Sequence, residues 1–514
     1  MRIRRRGFLA GSLATTALLA APGLIRAAPI RFTDDPFTLG VASGCPRPDS
    51  VVLWTRLAPP ATGDLFAASA LPDAPVEVTW QIAHDEAFAK IAAEGVAVAE
   101  PGFGHSVHVV VSGLEPGRWY FYRFQAGGAR SPVGRTRTAP APGAALQKLR
   151  LAFASCQQYE HGYFTAFRHM AAQDFDLVLH LGDYVYEASW GKRYIRQHGT
   201  GIPTQLWEWR DRYALYKTDP DLQAAHAAAP WLAIWDDHEV ANNYANDHSP
   251  KTSHPGQFLD IRAAAYQAWY EHMPVPPSMA PSGPALRIYD RYRFGDLLDL
   301  ALLDDRQYRD AHPCGLNRSG IHDCDERFDD KRSLLGREQE AWLDGALKDA
   351  QGRWTVIAQQ TLMAELDRKP GPEKAYNLDG WDGYVASRDR LLSAIDTHRP
   401  ANPLVLGGDV HAFWVADLKQ DFADPASPTV ATEVVCTSIS SQGPSDAGME
   451  AGRKDNPHIR YGRGDKRGYA SLELTPKQAL FGLEAVDQVD TPAGTVSRLA
   501  SFAVEAGKPG AERA

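Results

Sequence analysis

The chain is short of sulfur and of positive charge. Its 514 residues include five cysteines and six methionines. So few thiols cannot frame a chain this long, and the fold must rest on an apolar core, for which 44% hydrophobic residues are enough. Lysine and arginine number 54 against 63 acids, a formal net charge of -9. That balance lacks the basic surface that non-specific nucleic-acid binding needs. An anionic substrate would have to meet local positive charge, such as a metal ion. Also missing are low-complexity tracts, internal repeats and, past the N-terminus, any apolar run long enough for a membrane helix of about 20 residues. What is left is a globular chain too long for one ordinary domain of roughly 100–200 residues.

The N-terminus departs from this picture. Residues 1–28 hold Arg2, Arg4, Arg5, Arg6 and Arg26 and no acid, so the remainder is more acidic than the total suggests. Arg5-Arg6-Gly7-Phe8-Leu9 precedes an apolar stretch from Leu13 to Leu24 and the small residues Ala27-Ala28. The pattern is similar to a twin-arginine signal, with an ordinary secretion signal or a membrane anchor as the alternative. It predicts passage through the twin-arginine export machinery, a periplasmic or secreted protein, and no transmembrane segment in the mature form. Cys314 and Cys324, in a polar loop, are expected to form a disulfide.

Residues 29–140 read as β: Val51–Arg56, Val76–Trp80, Ser106–Val111 and Trp119–Phe124 are β-branched and aromatic runs separated by glycine and proline. A small all-β domain of fibronectin or immunoglobulin type is expected there. The linker Ala139-Pro140-Ala141-Pro142-Gly143 follows. Over residues 147–505, buried-looking strands (Leu149–Ser155, Asp176–Leu181, Trp231–Trp235, Trp354–Gln359, Pro403–Gly407) alternate with helical stretches such as Phe258–Tyr270 and Arg337–Lys348. This predicts a layered α/β catalytic domain, with loops at residues 443–446 and 460–464.

Functional groups of α/β proteins gather beyond the carboxyl ends of strands. Four predicted ends carry such groups: Ser155-Cys156; Gly182-Asp183-Tyr184-Val185-Tyr186-Glu187; Asp236-Asp237-His238-Glu239; and Gly408-Asp409-Val410-His411. Taken alone, a Gly-Asp pair caps a turn, Tyr186 fills a core, Cys156 is a small buried residue, and Asp237-His238-Glu239 opens a helix. Together, after four apolar runs in order, they make the inventory of a metal site.

Gly-Asp-x-x-Tyr, Asp-Asp-His-Glu and Gly-Asp-Val-His, with Gly40–Gly44, Val51–Arg56, Asp305–Arg309 and Trp381-Asp382-Gly383-Tyr384 with Arg388, resemble the alkaline phosphatase D (PhoD-like) family of calcineurin-like metallophosphoesterases. Cys45 departs from it, standing where the family usually has aspartate. The resemblance implies a β-sandwich core flanked by helices and a site with Fe3+ and Ca2+. Asp183 would bridge the two ions, Cys156, Tyr186 and His411 would complete the ferric side, and Asp237 and Asp409 would hold calcium or another divalent ion. It also implies hydrolysis of phosphate monoesters and diesters at alkaline pH by a metal-activated hydroxide. His238 is the candidate for protonating the leaving oxygen. Arg196 and Asn242 are candidate phosphate contacts. The rival readings are a phospholipase D-like diesterase on the same scaffold and, from another class, a non-catalytic binding or adhesion protein.

Overall fold

Apolar runs become strands whose burial pattern tells which faces are covered. In Ser106–Ser112, Val107, Val109 and Val111 are buried and Val110 is 46% exposed, the alternation of a sheet wetted on one face. Leu177–Leu181 is buried throughout, as a parallel strand covered on both faces must be. The structure is a computed structural model that describes residues 32–58, 71, 73–250, 254–315 and 320–514. The twin-arginine-like segment 1–28 lies outside the described residues.

Two sheets organise the chain. The larger has ten strands, in the order Glu512–Arg513, Val496–Glu505, Gln478–Val486, Arg467–Leu474, Leu149–Ala154, Leu177–Leu181, Trp231–Ile234, Val41–Arg47, Ser50–Arg56 and Ser106–Ser112. Its centre is parallel, with Leu179 between Phe153 and Leu232. The second runs Asp290–Phe294, Leu298–Leu302, Trp354–Ala358, Pro403–Gly407, Thr429–Val435, Phe413–Lys419 and Ile459–Arg463. Alternate residues divide its faces. Leu300, Val356 and Leu406 join Leu151, Phe153 and Leu179 in one core. Ala301, Ile357 and Val405 pack instead with Leu343, Leu347, Leu391 and Leu392, from the helices Arg337–Lys348 and Val385–His398. On the far side of the larger sheet, Trp231 meets Phe167 and His226 of the helices Thr165–Ala171 and Pro220–Ala228. The expected architecture, a β-sandwich flanked by helices, is the one observed.

Before residue 147 the layers are all β. A five-stranded sheet built on Ile91–Ala99, Val76–Ala83 and Trp119–Ala126 packs Val78, Ile82, Tyr122 and Phe124 against Val51, Leu53, Val107 and Val109. The opposite layer is shared, because Val41–Arg47 lies parallel to Trp231–Ile234 with Gly44 opposite Trp231. One sheet therefore runs from the N-terminal segment into the α/β segment.

The C-terminal stretch corrects one of the two expected loops. Residues 443–445 are irregular, as expected, and lead into the short helix Asp446–Arg453, but Ile459–Arg463 is a strand paired with Phe413–Lys419. The glycines at 462 and 464 suggested a loop, but the pairing with a buried strand decides the conformation. Cys314 and Cys324 form the expected disulfide, with Cα atoms 6.4 Å apart, and Cys45, Cys156 and Cys436 are free and buried. No helix among the described residues is long and apolar enough to cross a membrane.

Candidate metal centre

The carboxyl ends of four strands converge. Cys156 follows Leu149–Ala154, Asp183 and Tyr186 follow Leu177–Leu181, Asp237 and His238 follow Trp231–Ile234, and Asp409 and His411 follow Pro403–Gly407. To turn inward there, Cys156, Asp183, Asp409 and His411 adopt φ of 60, 57, 61 and 53°. Residues other than glycine rarely take this left-handed conformation, and such strain collects at functional sites. Two glycines let the ends close up. A Cβ on Gly182 would lie 2.5 Å from Asp236 Cβ, and one on Gly408 would lie 2.5 Å from Ser155 Oγ.

The side chains form two groups that share one member. Donor atoms of Cys156, Asp183 and His411 lie within 4.8 Å of one another, and so do donor atoms of Asp183, Asp237 and His238. Tyr186 Oη donates to Asp183 Oδ2 (2.7 Å) and lies 3.3 Å from His411 Nε2. Asp409 is near enough for its charge to act on Asp183 and for Asp237 to act on it, and its Oδ2 accepts from Thr361 Oγ1 at 2.6 Å.

Neighbours fix this arrangement. Glu239 does not face the cluster: its carboxylate accepts from the backbone N–H groups of Asp183 (3.0 Å), Tyr184 (2.5 Å) and Asp236 (2.8 Å), tying two strand ends together. Asp236 pairs with the buried guanidinium of Arg306, which also reaches Asp379 at 2.9 Å and lies 3.7 Å from Asp237 Oδ1. His238 Nδ1 donates to Glu187 Oε2 at 2.6 Å, and Glu187 Oε1 accepts from Asn242 N at 3.0 Å.

The electrostatics call for added positive charge. Burial, reinforced by neighbouring acids, pushes the Asp183 carboxyl well above its ordinary range, and Asp409 to about 6. Burial beside Asp183 likewise raises the Cys156 thiol and the Tyr186 phenol. His411 is pushed down to about 3, chiefly by burial and then by Arg467. His238 goes the other way: burial opposes its charged form, but Glu187, Asp237 and Asp183 outweigh burial and raise it. Asp237 Oδ1 is buried with no hydrogen bond. An orphaned carboxylate oxygen among crowded acids is a seat for a cation, and the residues fit metal ions.

Every residue expected to bind metal, and His238, is thus in one place. Asn242 lies at its rim, where the backbone N–H is used by Glu187. Arg196 is a correction. Its guanidinium donates to Tyr159 O (3.0 Å), Asp219 Oδ2 (2.7 Å) and Gly162 O (2.6 Å), and stacks 3.7 Å over the Tyr159 ring. With both terminal nitrogens and Nε engaged, it braces the loop after Cys156 rather than a phosphate. The sequence reading held Glu187 and Arg306 within its motifs but gave them no role. It passed over Asp379 and Thr361, which carried no local signal. It also passed over Arg368, an exposed arginine on whose charge Asp382 and Asp409 act.

The chain is similar to known proteins along most of its length. A model of the PhoD-like phosphatase family matches residues 151–481, and a model of the PhoD-like phosphatase N-terminal domain matches residues 24–140. The chain is 44% identical over 494 residues to alkaline phosphatase D of Bacillus subtilis (strain 168), covering 95% of this chain and 83% of that protein. A solved structure of PhoD superposes with a TM-score of 0.90 at 43% identity, over 94% of this chain and 93% of that one. A purple acid phosphatase from yellow lupin (Lupinus luteus) seeds, at 11% identity and a TM-score of 0.57 over 92% of this chain and 74% of that one, shares the fold.

Proposed function

This chain belongs to the PhoD-like phosphatase family and is a phosphoric ester hydrolase, and from that premise we propose that it is an exported enzyme acting at alkaline pH on phosphate monoesters and diesters. The observation that carries the reading is the position of Asp183, common to both donor groups. Cys156, Asp183, Tyr186 and His411 would hold a ferric ion, and the all-oxygen set Asp183, Asp237 and Asp409 would hold calcium or another divalent ion. Bound there, the ions supply an acidified water and neutralise phosphoryl oxygens. Support for export comes from the Arg5-Arg6 segment and from the Cys314–Cys324 disulfide, which suits an oxidising compartment.

The chain's own side chains account for the remaining tasks. His238, held charged by Glu187 and the neighbouring aspartates, protonates the departing ester oxygen. Arg306 keeps Asp236 and Asp237 in place and offsets their mutual repulsion. Arg368 takes the role first given to Arg196. Among the described residues it makes no ion pair, and Asp382 and Asp409 act on its charge, which would be free to meet a phosphate beside Asp409. Asn242 lines the same approach.

Elemental analysis beside a visible spectrum tests the metal assignment. A coloured protein with iron and calcium is expected, and a colourless protein free of iron rules out the ferric–tyrosinate side. Rates on a nitrophenyl monoester, a bis-nitrophenyl ester and phosphatidylcholine test the substrate class. Activity confined to phosphatidylcholine would replace the proposal by the phospholipase D-like reading, and none on any ester would remove it.

A further inference from the structure

His161 is five residues beyond Cys156 and, among the described residues, hydrogen-bonds to none of the proposed ligands, yet two of its bonds bear on His411. It closes the single helical turn Tyr159–His161 and is buried. Its Nδ1 accepts from the backbone N–H of Gln442 at 3.1 Å, and its Nε2 lies 2.7 Å from the backbone oxygen of Trp190. A peptide N–H only donates and a carbonyl only accepts, so the ring must be the neutral tautomer protonated on Nε2.

Both peptides bonded by His161 act on the same imidazole. Gln442 O accepts from His411 Nδ1 at 2.7 Å, which directs the His411 Nε2 lone pair toward Tyr186. The Trp190 indole stacks on the His411 ring, centroids 5.6 Å apart and planes 14° from parallel, and makes an edge-to-face contact with the His161 ring, centroids 4.6 Å apart. Gln442 ties the two loops again, its side-chain nitrogen donating to Arg193 O at 2.9 Å. Gly191 fits between them: at φ +93° its Cβ would stand 2.9 Å from both His161 Nε2 and Gln442 Oε1. Next to Gln442, Ser441 Oγ donates to the Tyr186 hydroxyl at 2.8 Å. One loop therefore aims both Tyr186 and His411, and His161 joins that loop to the one carrying Trp190.

We infer that His161 is a positioning residue for the ion on the Cys156–Tyr186–His411 side, acting through Gln442 and Trp190 to hold the His411 imidazole in its ligating orientation. The inference rests on the two-ion reading above. Partners that orient a ligating histidine commonly change metal affinity about 10- to 100-fold when removed.

The test uses purified metal-loaded protein challenged with a chelator, with each metal followed by elemental analysis and the unfolding midpoint of the stripped protein recorded alongside. His161→Ala is expected to release the ion of the His411 side about 10- to 100-fold more readily, and to leave the ion of the Asp237–Asp409 side and the stripped midpoint near wild type. His161→Asn keeps an acceptor for Gln442 N but does not reach Trp190 O, so it should recover part of the loss; it also serves if His161→Ala does not fold. Equal retention of both ions in the variants and wild type overturns the inference, and so does a lowered stripped midpoint with unchanged metal affinity. Wild-type protein that binds no metal would instead sink the two-ion reading, an outcome visible before any variant is made.

Discussion

Behind the acidic cluster lies its opposite. Lys217, His226 and His180 are buried against Trp54, Trp231 and Tyr184, one residue past Asp183. Tyr184 Oη lies 2.8 Å from His226 Nε2, and Lys217 Nζ lies 3.5 Å from the same nitrogen. Burial drives these bases toward their neutral forms as it drives the acids in front toward theirs: His180 falls to about 3, and His226 and Lys217 fall well below their ordinary ranges. The two regions resolve one cost differently. Both keep orphaned atoms, Asp236 Oδ2 and Asp237 Oδ1 in front and both His180 nitrogens and His226 Nδ1 behind, but the acids' donor atoms converge within 4.8 Å of one another, while the bases lie against the aromatic faces of Trp54, Trp231 and Tyr184. A buried charge cluster is thus a site only where its donors converge on shared space.

The largest expected effect breaks the front cluster at its common member. Asp183→Asn removes the negative charge of a shared carboxylate and should lower kcat/KM on the order of 1000-fold, about 4 kcal/mol of barrier, with folding retained by circular dichroism. An unchanged rate would take Asp183 out of the site. Next comes His238→Gln, at about 100-fold on an alkyl phosphate, since general acids commonly supply 10²–10⁴. A nitrophenyl ester, whose leaving oxygen needs little protonation, should suffer far less. Equal losses on both esters would mean that His238 does not protonate the leaving group.

The same contrast explains what the sequence disclosed. Front-cluster residues follow apolar strands in short motifs, so one pass along the chain finds Asp183, Asp237, Asp409 and His411. The layered α/β plan was legible for the same reason, because buried parallel strands are continuous apolar runs. The partners were not legible. Asp379 is 73 residues from Arg306 in sequence, and Thr361 is 48 from Asp409. Arg196 looked like a phosphate contact because a lone arginine in a polar loop gives no hint of Asp219 or of the two carbonyls it bridges. The back cluster left no pattern at all: Lys217 ends the helix Leu206–Lys217, where a lysine is ordinarily solvated. Continuity of the large sheet from Val41–Arg47 into Trp231–Ile234 was also hidden, since strand pairing across about 190 residues has no local signature.

A smaller effect belongs to the rim. Arg368→Ala should raise KM for a monoester about 10-fold and change kcat little, because the guanidinium meets the ester before and during reaction alike. A fall in kcat with constant KM would place Arg368 in the transition state instead.

The smallest expected effect probes the back cluster and appears in stability rather than rate. The folded pKa values of Lys217, His226 and His180 lie below their unfolded values, so the unfolded chain binds more protons and stability rises with pH. The two histidines contribute that slope up to about pH 6.5, and Lys217 extends it toward about 10.4, each proton giving at most about 1.4 kcal/mol per pH unit. The charged or titratable groups around the cluster are Tyr184, Asp219, which acts on Tyr184, and the pair His272–Arg56, with Arg210 beyond. Among the described residues none is a carboxylate bonded to Lys217, and no ion pair there cancels the slope. Lys217→Met, close in volume and without charge, should stabilise the protein by about 1 kcal/mol at pH 7. It should also flatten the rise of the unfolding midpoint between pH 7 and 10, with kcat/KM near wild type. Were the variant less stable at every pH, the aromatic faces of Trp54 and Tyr184 would be holding a charged ammonium, and the back of the site would answer burial by cation–π attraction rather than by neutrality.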